Sequence, residues 1–285
     1  MADCYMAQTS AGLAPADEAM PKARAMARKA IEIDNSLAEG HVALGVIFLN
    51  YDWNWPAARA ELEKAVQMAP AAVDAHLSLA SYYRVVGQID AADKELQRAE
   101  TLAPAVAKGY FTLGWLYVYA GRYAQAVGEL QKAIELSPYN PYAHFGLFLA
   151  YDHTGRRPLA MTELQQYMTL QKETEIAARV ARTYQTAGYV RARRQYFELM
   201  AAAYVQRHYL SYQIACEYAS LGDKDQALDY LERAYQEHSN YMNRLKVDSY
   251  FDGLREEPRF KHLLEQMKLT DEQLASSTTL AAVSR

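Results

Sequence analysis

Three histidines occupy equivalent positions along the chain, and histidine is a common zinc ligand. His41, His76 and His144 are separated by 35 and 68 residues, about one and two lengths of an internal repeat. A zinc ion needs its ligands within about 2.0–2.3 Å, whereas each of these histidines belongs to a different repeat. We therefore predict that the three side chains are structural and that the chain holds no metal and no other cofactor.

The carboxylates of Asp223 and Asp225 are the second candidate for chemistry, as a general acid and base. Such catalysis needs a sheltered carboxylate with a shifted pKa. The stretch Asp223-Lys224-Asp225 is instead typical of a solvated turn that opens a helix, where carboxylates are favoured. The sequence also lacks the phosphate-binding glycine loop and the G-x-S-x-G and H-E-x-x-H motifs. We predict no catalytic residue and no enzymatic activity.

The densest positive cluster contains Arg191, Arg193 and Arg194. Guanidinium groups bind phosphates and carboxylates through paired hydrogen bonds, so the cluster would suit a phosphate or an acidic peptide. The alternative is a solvated helix face on which Arg194 pairs with Glu198 one turn later. We favour the solvated face.

The composition fits a folded, mainly helical chain and excludes two classes of partner. Of 285 residues, 51% are hydrophobic, and the net charge is −4. That charge gives no general attraction to nucleic acid, and no uninterrupted apolar run is long enough to span a membrane. The sparse cysteines, Cys4 and Cys216, and an N-terminus without signal-peptide features favour the cytoplasm. An extracytoplasmic location stays open if a longer parent protein has a membrane span upstream.

The elements that carry these residues follow an internal repeat of 34 residues. The residues with counterparts 34 positions later are Leu79, Ala80, Tyr83, Gly87, Ala92, Leu96, Ala99 and Pro104. Glycine recurs at 33- or 34-residue intervals, at Gly87, Gly121, Gly155, Gly188 and Gly222. We expect helix–turn–helix units in which each glycine leaves the first helix through a left-handed backbone conformation.

The period and residue order resemble those of the tetratricopeptide repeat (TPR). The resemblance implies an all-α fold, a right-handed α-solenoid of stacked helix–turn–helix repeats with a C-terminal capping segment. We expect the solenoid to cover 1–269, and 270–285 to form a short helix or a disordered tail. Its parts are an incomplete repeat at 1–35, repeats at 36–72, 73–106, 107–140, 141–172, 174–207 and 208–240, and a cap at 241–269.

The turn of the first complete repeat, Tyr51-Asp52-Trp53-Asn54-Trp55-Pro56, is unusual. Two tryptophans would suit a ligand cage. Because tryptophan buries a large apolar area, we favour a structural role in which Trp53 and Trp55 plug the turn against the incomplete repeat.

This turn, the stretch 221–228 and the segment 245–260 together resemble the C-terminal TPR regions of bacterial signalling proteins. In that family the TPR region follows a winged-helix DNA-binding domain, a Ser/Thr kinase domain or an adenylyl cyclase domain. The resemblance implies a sensing or partner-binding region whose effector lies elsewhere. A regulatory or self-associating region of this kind is the alternative to an independent scaffold.

The first helix of each TPR lines the inner face of the solenoid, so the offsets that do not pack against the second helix should face a groove. The predicted groove residues are Leu77, Arg84, Phe111, Trp115, Tyr119, Tyr142, Phe145, Leu149, His153 and Arg182. We expect a non-catalytic protein–protein interaction scaffold that binds a protein or peptide segment around Trp115 and Phe145. Arg84 and Arg182 would orient an acidic part of that segment. The competing interpretation is that Phe111 and Trp115 only fill gaps between adjacent helices.

Overall fold

The computed structural model describes residues 2, 4–6, 16–103, 107–206 and 211–275. Part of the expected incomplete repeat, His208 and the tail from residue 276 lie outside the described residues. The α-helices in chain order are α1 Ala16–Ile33, α2 Ala38–Asn50, α3 Trp55–Met68, α4 Val73–Val85, α5 Ile89–Leu102, α6 Ala107–Tyr119, α7 Tyr123–Leu136, α8 Pro141–His153, α9 Arg157–Leu170, α10 Thr174–Gln206, α11 Ser211–Leu221, α12 Lys224–Gln236 and α13 Pro258–Gln266. Two 3₁₀ helices, Asn240–Arg244 and Ser249–Leu254, separate α12 from α13. The described residues form no strand, which confirms the all-α prediction.

The chain divides into two compact units. The first unit contains Met1–Pro104, Asn243–Lys246 and Leu264–Arg285, and the second contains Ala105–Met242 and Val247–Leu263. The C-terminal segment therefore contributes residues to both units, which the repeat pattern does not predict. None of the helices in the described ranges is long and apolar enough to cross a membrane.

The turns inside the repeats have the expected left-handed backbone. The glycines with positive φ, between 68° and 79°, are Gly87, Gly121, Gly155, Gly188 and Gly222. At Gly188 the turn interrupts α10, where φ of 78° and ψ of −178° separate two helical halves. A side chain would be strained at these angles, which accounts for glycine at this offset.

Glycine also allows the two helices of one repeat to approach each other. A Cβ atom added to Gly114 on α6 would lie 2.5 Å from Cγ of Leu130 on α7, and one added to Gly45 on α2 would lie 2.5 Å from Cγ of Leu62 on α3. Both distances are far inside van der Waals contact. The leucine of the second helix therefore fits into a notch that the glycine of the first helix leaves open.

The C-terminal segment packs within the first unit around Trp55. The Trp55 ring is 2% exposed, and its indole N–H donates to the carbonyl oxygen of Met267 at 2.7 Å. Nearby, the Asn243 side chain donates to Asn50 at 2.7 Å. Trp55 is therefore a core residue and not part of a ligand cage. Its hydrogen-bond partner comes from the C-terminal segment, not from the incomplete repeat against which it was expected to pack.

Residues 247–263 pack within the second unit against α11 and α12. Tyr212 on α11 donates from its hydroxyl to Asp248 at 3.0 Å, and Arg259 donates to Glu232 at 2.8 Å and to Asp229 at 2.6 Å. The rings of Phe251 and Phe260 are fully buried. This part of the C-terminal segment packs on the last helix pair, α11 and α12.

Candidate protein-binding surface

Five aromatic side chains of the second unit, all on α6 and α8, are here called the aromatic surface. Its members are Phe111, Trp115, Tyr119, Tyr142 and Phe145. Residues four apart on a helix lie on the same face, which brings the three rings on α6 into a row. The ring centroid of Trp115 lies 6.5 Å from that of Phe111, 5.5 Å from that of Tyr119 and 6.4 Å from that of Phe145.

Trp115 takes part in both the surface and the packing beneath it. Its indole N–H donates to the carbonyl oxygen of Tyr142 at 3.2 Å, and the ring is partly exposed. A Cβ atom on Gly146 would lie 3.5 Å from Cε2 of Trp115, an ordinary van der Waals distance, so the indole packs close to the α8 backbone. The ring therefore joins α6 to α8 and still presents part of its area to solvent. The exposed part of the ring fits the groove interpretation, and the part between α6 and α8 fits the gap-filling interpretation.

Phe145 links the aromatic surface to the core of the second unit. Its ring centroid lies 4.7 Å from that of Tyr167 on α9 and 6.5 Å from that of Tyr196 on α10, and both tyrosines are buried. Tyr142, one turn earlier, is 51% exposed. Of the five rings, Tyr142 offers the most exposed apolar area, while Phe145 has a mainly structural environment.

Two predicted groove residues are wrong, because Leu77 and Leu149 are each only 4% exposed. The offset argument assumes that a first helix packs on one side only. On α4 and α8, however, the buried residues lie around most of the helix circumference. Leucines at the intermediate offsets are therefore covered by neighbouring helices and offer almost no area to a partner.

The charged members of the predicted groove belong to different units. Arg84 is half-buried in the first unit, whereas His153 and Arg182 are exposed in the second. The His153 ring stacks on Tyr123 with centroids 4.7 Å apart, and partial burial lowers the pKa of His153, as does the charge of Arg193. The structure thus places only the second-unit residues of the predicted groove within one compact body.

The repeated histidines each contact a glutamate of the second helix in their own repeat. Nδ1 lies 2.6 Å from a carboxylate oxygen in the pairs His41–Glu61 and His76–Glu95 and 2.7 Å away in the pair His144–Glu163. No three potential metal-ligating side chains cluster within the described ranges. The histidines therefore join paired helices. The glutamates recur 19 or 20 residues after each histidine, and this spacing in the sequence indicates the pairs.

The acidic turn also has the expected structural role. The Asp223 carboxylate accepts a hydrogen bond from the Gln226 amide at 3.2 Å and caps α12, and Lys224 donates to Glu257 at 2.7 Å. The prediction that this stretch opens a helix is confirmed. The predicted pair Arg194–Glu198 is also present, with Nε 2.9 Å from the carboxylate.

The carboxyl of Glu217 on α11 is a titratable group that belongs to none of the sequence patterns described above. The residue is 5% exposed, and its Oε2 accepts no hydrogen bond from the residues that the structure describes. Burial raises the pKa of Glu217 well above the ordinary range, and the charge of Arg193 opposes that shift. The carboxyl also faces Tyr250, whose own pKa is raised mainly by burial.

We expect Glu217→Gln to stabilise the second unit increasingly as the pH rises. A carboxyl whose pKa is raised in the folded state costs stability above its unfolded pKa, because the unfolded chain releases the proton more readily. Near pH 4 the variant and the wild type should unfold at similar urea concentrations. At pH 8 the variant should be more stable by about 1 kcal/mol or more, because it needs no proton on folding and each unit of raised carboxyl pKa costs the wild type about 1.4 kcal/mol. Glu237→Gln, at an exposed helical pair, is the control, and an equal gain in both variants at pH 8 would contradict the argument.

Comparisons with known proteins identify the repeat. Two family models, both described as tetratricopeptide repeat, match residues 107–140 and 209–237. A search of curated proteins found no match. These two matches correspond to the helix pair α6–α7 and to the pair α11–α12.

Several solved structures are similar to the chain. MamA is 24% identical, with a TM-score of 0.47 over 59% of this chain and 94% of that one. YrrB, described as a TPR protein with an unusual peptide-binding site, is 19% identical, with a TM-score of 0.44 over 77% of this chain and 95% of that one.

A third solved structure has a higher TM-score than these two. The Cut9–Hcn1 hetero-tetramer of the APC/C is 18% identical, with a TM-score of 0.54 over 85% of this chain and 45% of the matched chain. At this identity the likeness concerns the fold alone. Together with the matched repeats, the paired helices and the glycine turns, it identifies the chain as a tetratricopeptide-repeat protein.

Proposed function

We propose that this chain is a non-catalytic protein-interaction scaffold and that a partner segment binds to the aromatic surface. The observation that carries the proposal is the group of partly exposed rings around Trp115, with Tyr142 exposed over 51% of its area. Repeat proteins of this kind present extended surfaces formed by successive first helices. No reaction is assigned to the chain.

The chemistry of the aromatic surface favours an apolar partner segment. Helix α6 carries one charged side chain, Lys108, and is otherwise apolar, aromatic or small apart from Thr112. Tyrosine and tryptophan offer large rigid areas at low cost in conformational entropy, which is why they dominate binding energy at interfaces. The hydroxyl group of Tyr142 would supply a polar contact that fixes the register of a segment.

Tyr142→Ala tests this proposal better than a change at Trp115, whose ring contacts and hydrogen bond contribute to the packing of α6 on α8. We would select binders from a displayed library of random peptides on the wild-type chain. Their affinity for Tyr142→Ala should fall by about ten-fold or more, as for an interface hot spot. The measurement is fluorescence anisotropy of the labelled selected peptides.

Leu159→Ala provides the matched control, because Leu159 is a large exposed apolar residue (47% exposed) on α9, the second helix of its repeat. Its variant should bind the selected peptides as the wild type does. Peptides that bind Tyr142→Ala with unchanged affinity would place the binding site elsewhere and overturn the proposal. Sedimentation of the wild type over a range of concentrations would show whether a second copy of the chain competes for the same surface.

A further inference from the structure

A second site is present in the second unit, in a cleft of about 350 Å³ where α8 ends and α9 begins. We call it the arginine cleft, because Arg157, Arg193 and Arg194 line it together with Asp152. It shares no residue with the aromatic surface. The inference that follows therefore does not depend on the proposed function.

Asp152 holds Arg193 in a fixed orientation at the wall of the cleft. Its carboxylate accepts one hydrogen bond from Arg193 Nε at 2.6 Å and another from the Tyr189 hydroxyl at 2.7 Å. The Arg193 guanidinium also lies over the Phe197 ring, 4.7 Å from its centroid. Among the described residues, Arg193 donates a hydrogen bond only through Nε. Its two terminal nitrogens therefore remain available for a ligand.

The other two arginines add positive charge that the lining does not balance. Arg157 makes no ion pair with a carboxylate in the described part of the chain. Arg194 uses Nε for an exposed pair with Glu198, which does not line the cleft. With Asp152 and Glu198 counted, two carboxylates pair with the three guanidinium groups, and the charge of Arg157 has no paired carboxylate among the described residues. The α9 N-terminus beside Arg157 has no side-chain cap, so its amide groups contribute further positive potential.

We propose that the arginine cleft binds a phosphate monoester carried by an organic group. Arginine presents several donors in a planar fork that matches phosphate oxygens. A phosphate offers three acceptor oxygens, enough to contact both Arg157 and the terminal nitrogens of Arg193, whereas a carboxylate offers only two. The cleft volume falls within the range of small-molecule sites, about 300–1,000 Å³. Val190, Leu221 and the Tyr189 ring form an apolar part of the lining against which the organic group would pack.

The test compares phenyl phosphate with phenyl sulfate by isothermal titration calorimetry at low ionic strength. The two molecules have similar shapes, but the phosphate is close to doubly charged at neutral pH and the sulfate carries one charge. Phenyl phosphate should bind at least ten-fold more tightly. Arg157→Gln should weaken phenyl phosphate about ten-fold, the loss of one charged hydrogen-bonding group. The fold of this variant should persist, because none of the described residues forms an ion pair with Arg157 that the substitution would break.

Arg233→Gln is the control, since Arg233 forms an exposed pair with Glu237 like that of Arg194 with Glu198. It should bind phenyl phosphate as the wild type does. A phosphoserine pentapeptide, compared with its unphosphorylated form, distinguishes the source of the ester. Tighter binding than phenyl phosphate indicates a phosphorylated partner segment, and weaker binding indicates a small organic phosphate. No binding of phenyl phosphate, equal binding of the sulfate, or unchanged affinity in Arg157→Gln would each overturn the proposal.

Discussion

Replacing Trp55 by alanine should lower the stability of the first unit by about 3–5 kcal/mol, the cost of removing a fully buried large aromatic side chain. The ring is 2% exposed, and its N–H satisfies the buried carbonyl oxygen of Met267. The substitution therefore leaves a cavity and an unsatisfied acceptor together. Hydrogen–deuterium exchange of the α2 and α3 amides measures the loss as a local opening free energy.

Trp55→Phe separates the two contributions. Phenylalanine retains most of the apolar area but cannot donate to Met267, so this variant should lose about 1–3 kcal/mol. Tyr139→Ala is the control for a large aromatic residue without burial, since Tyr139 is 84% exposed. Its effect should stay within about 0.5 kcal/mol. Unchanged protection of α2 and α3 in Trp55→Ala would mean that the ring is not part of the core and would reopen the ligand-cage interpretation.

The repeat pattern predicts contacts between neighbouring elements and fails for contacts between distant ones. Leu130 is the counterpart of Leu96, 34 residues earlier. The pattern therefore assigns it to the core, where its side chain faces Gly114 on the preceding helix of the same repeat. The hydrogen bond between Trp55 and Met267 joins residues 212 positions apart. Nothing in a 34-residue period specifies such a pair, because the period encodes only how one repeat packs on the next.

The candidate sites show the same division. Counting offsets found the partly exposed rings around Trp115, because aromatic residues spaced by four must share a helix face. The same count is wrong for Leu77 and Leu149, which are buried. The reason is that the number of helix faces covered by neighbours depends on tertiary packing, which the offsets do not encode. The arginine cluster was visible in the sequence, but Asp152, 41 residues before Arg193, was not connected with it. A cleft needs residues from several repeats, and only their packing brings those residues together.

The position of the aromatic surface depends on Leu130, which lies between the two helices that carry it. Cβ atoms placed on Gly114 of α6 and on Gly146 of α8 would lie 2.5 Å from its Cγ and 2.8 Å from its Cδ1. One side chain therefore fills notches in both helices and sets how closely they approach. Because Trp115 lies on α6 and Phe145 on α8, the same contact fixes the distance between these two rings.

Leu130→Ala should lower the stability of the second unit by about 2–5 kcal/mol, as for other fully buried leucines. Gly114→Ala alone should cost about 1–3 kcal/mol through overpacking against Leu130. In the double variant the added methyl group enters space that the leucine has left, so the second substitution should become neutral or favourable. Hydrogen–deuterium exchange of the α6 and α7 amides gives the three free energies, and their coupling should reach about 1 kcal/mol or more.

Gly128→Ala on α7 is the matched control, because nothing lies within 4 Å of a Cβ atom there. This substitution should stabilise α7 by up to about 1 kcal/mol, since alanine favours a helix more than glycine does. Trp115 fluorescence should shift in Leu130→Ala, whose cavity lies between α6 and α8, and should not shift in Gly128→Ala. Additive effects of Gly114→Ala and Leu130→Ala would show that the leucine does not set the helix spacing. The aromatic surface would then owe its geometry to the ring contacts of Trp115 alone.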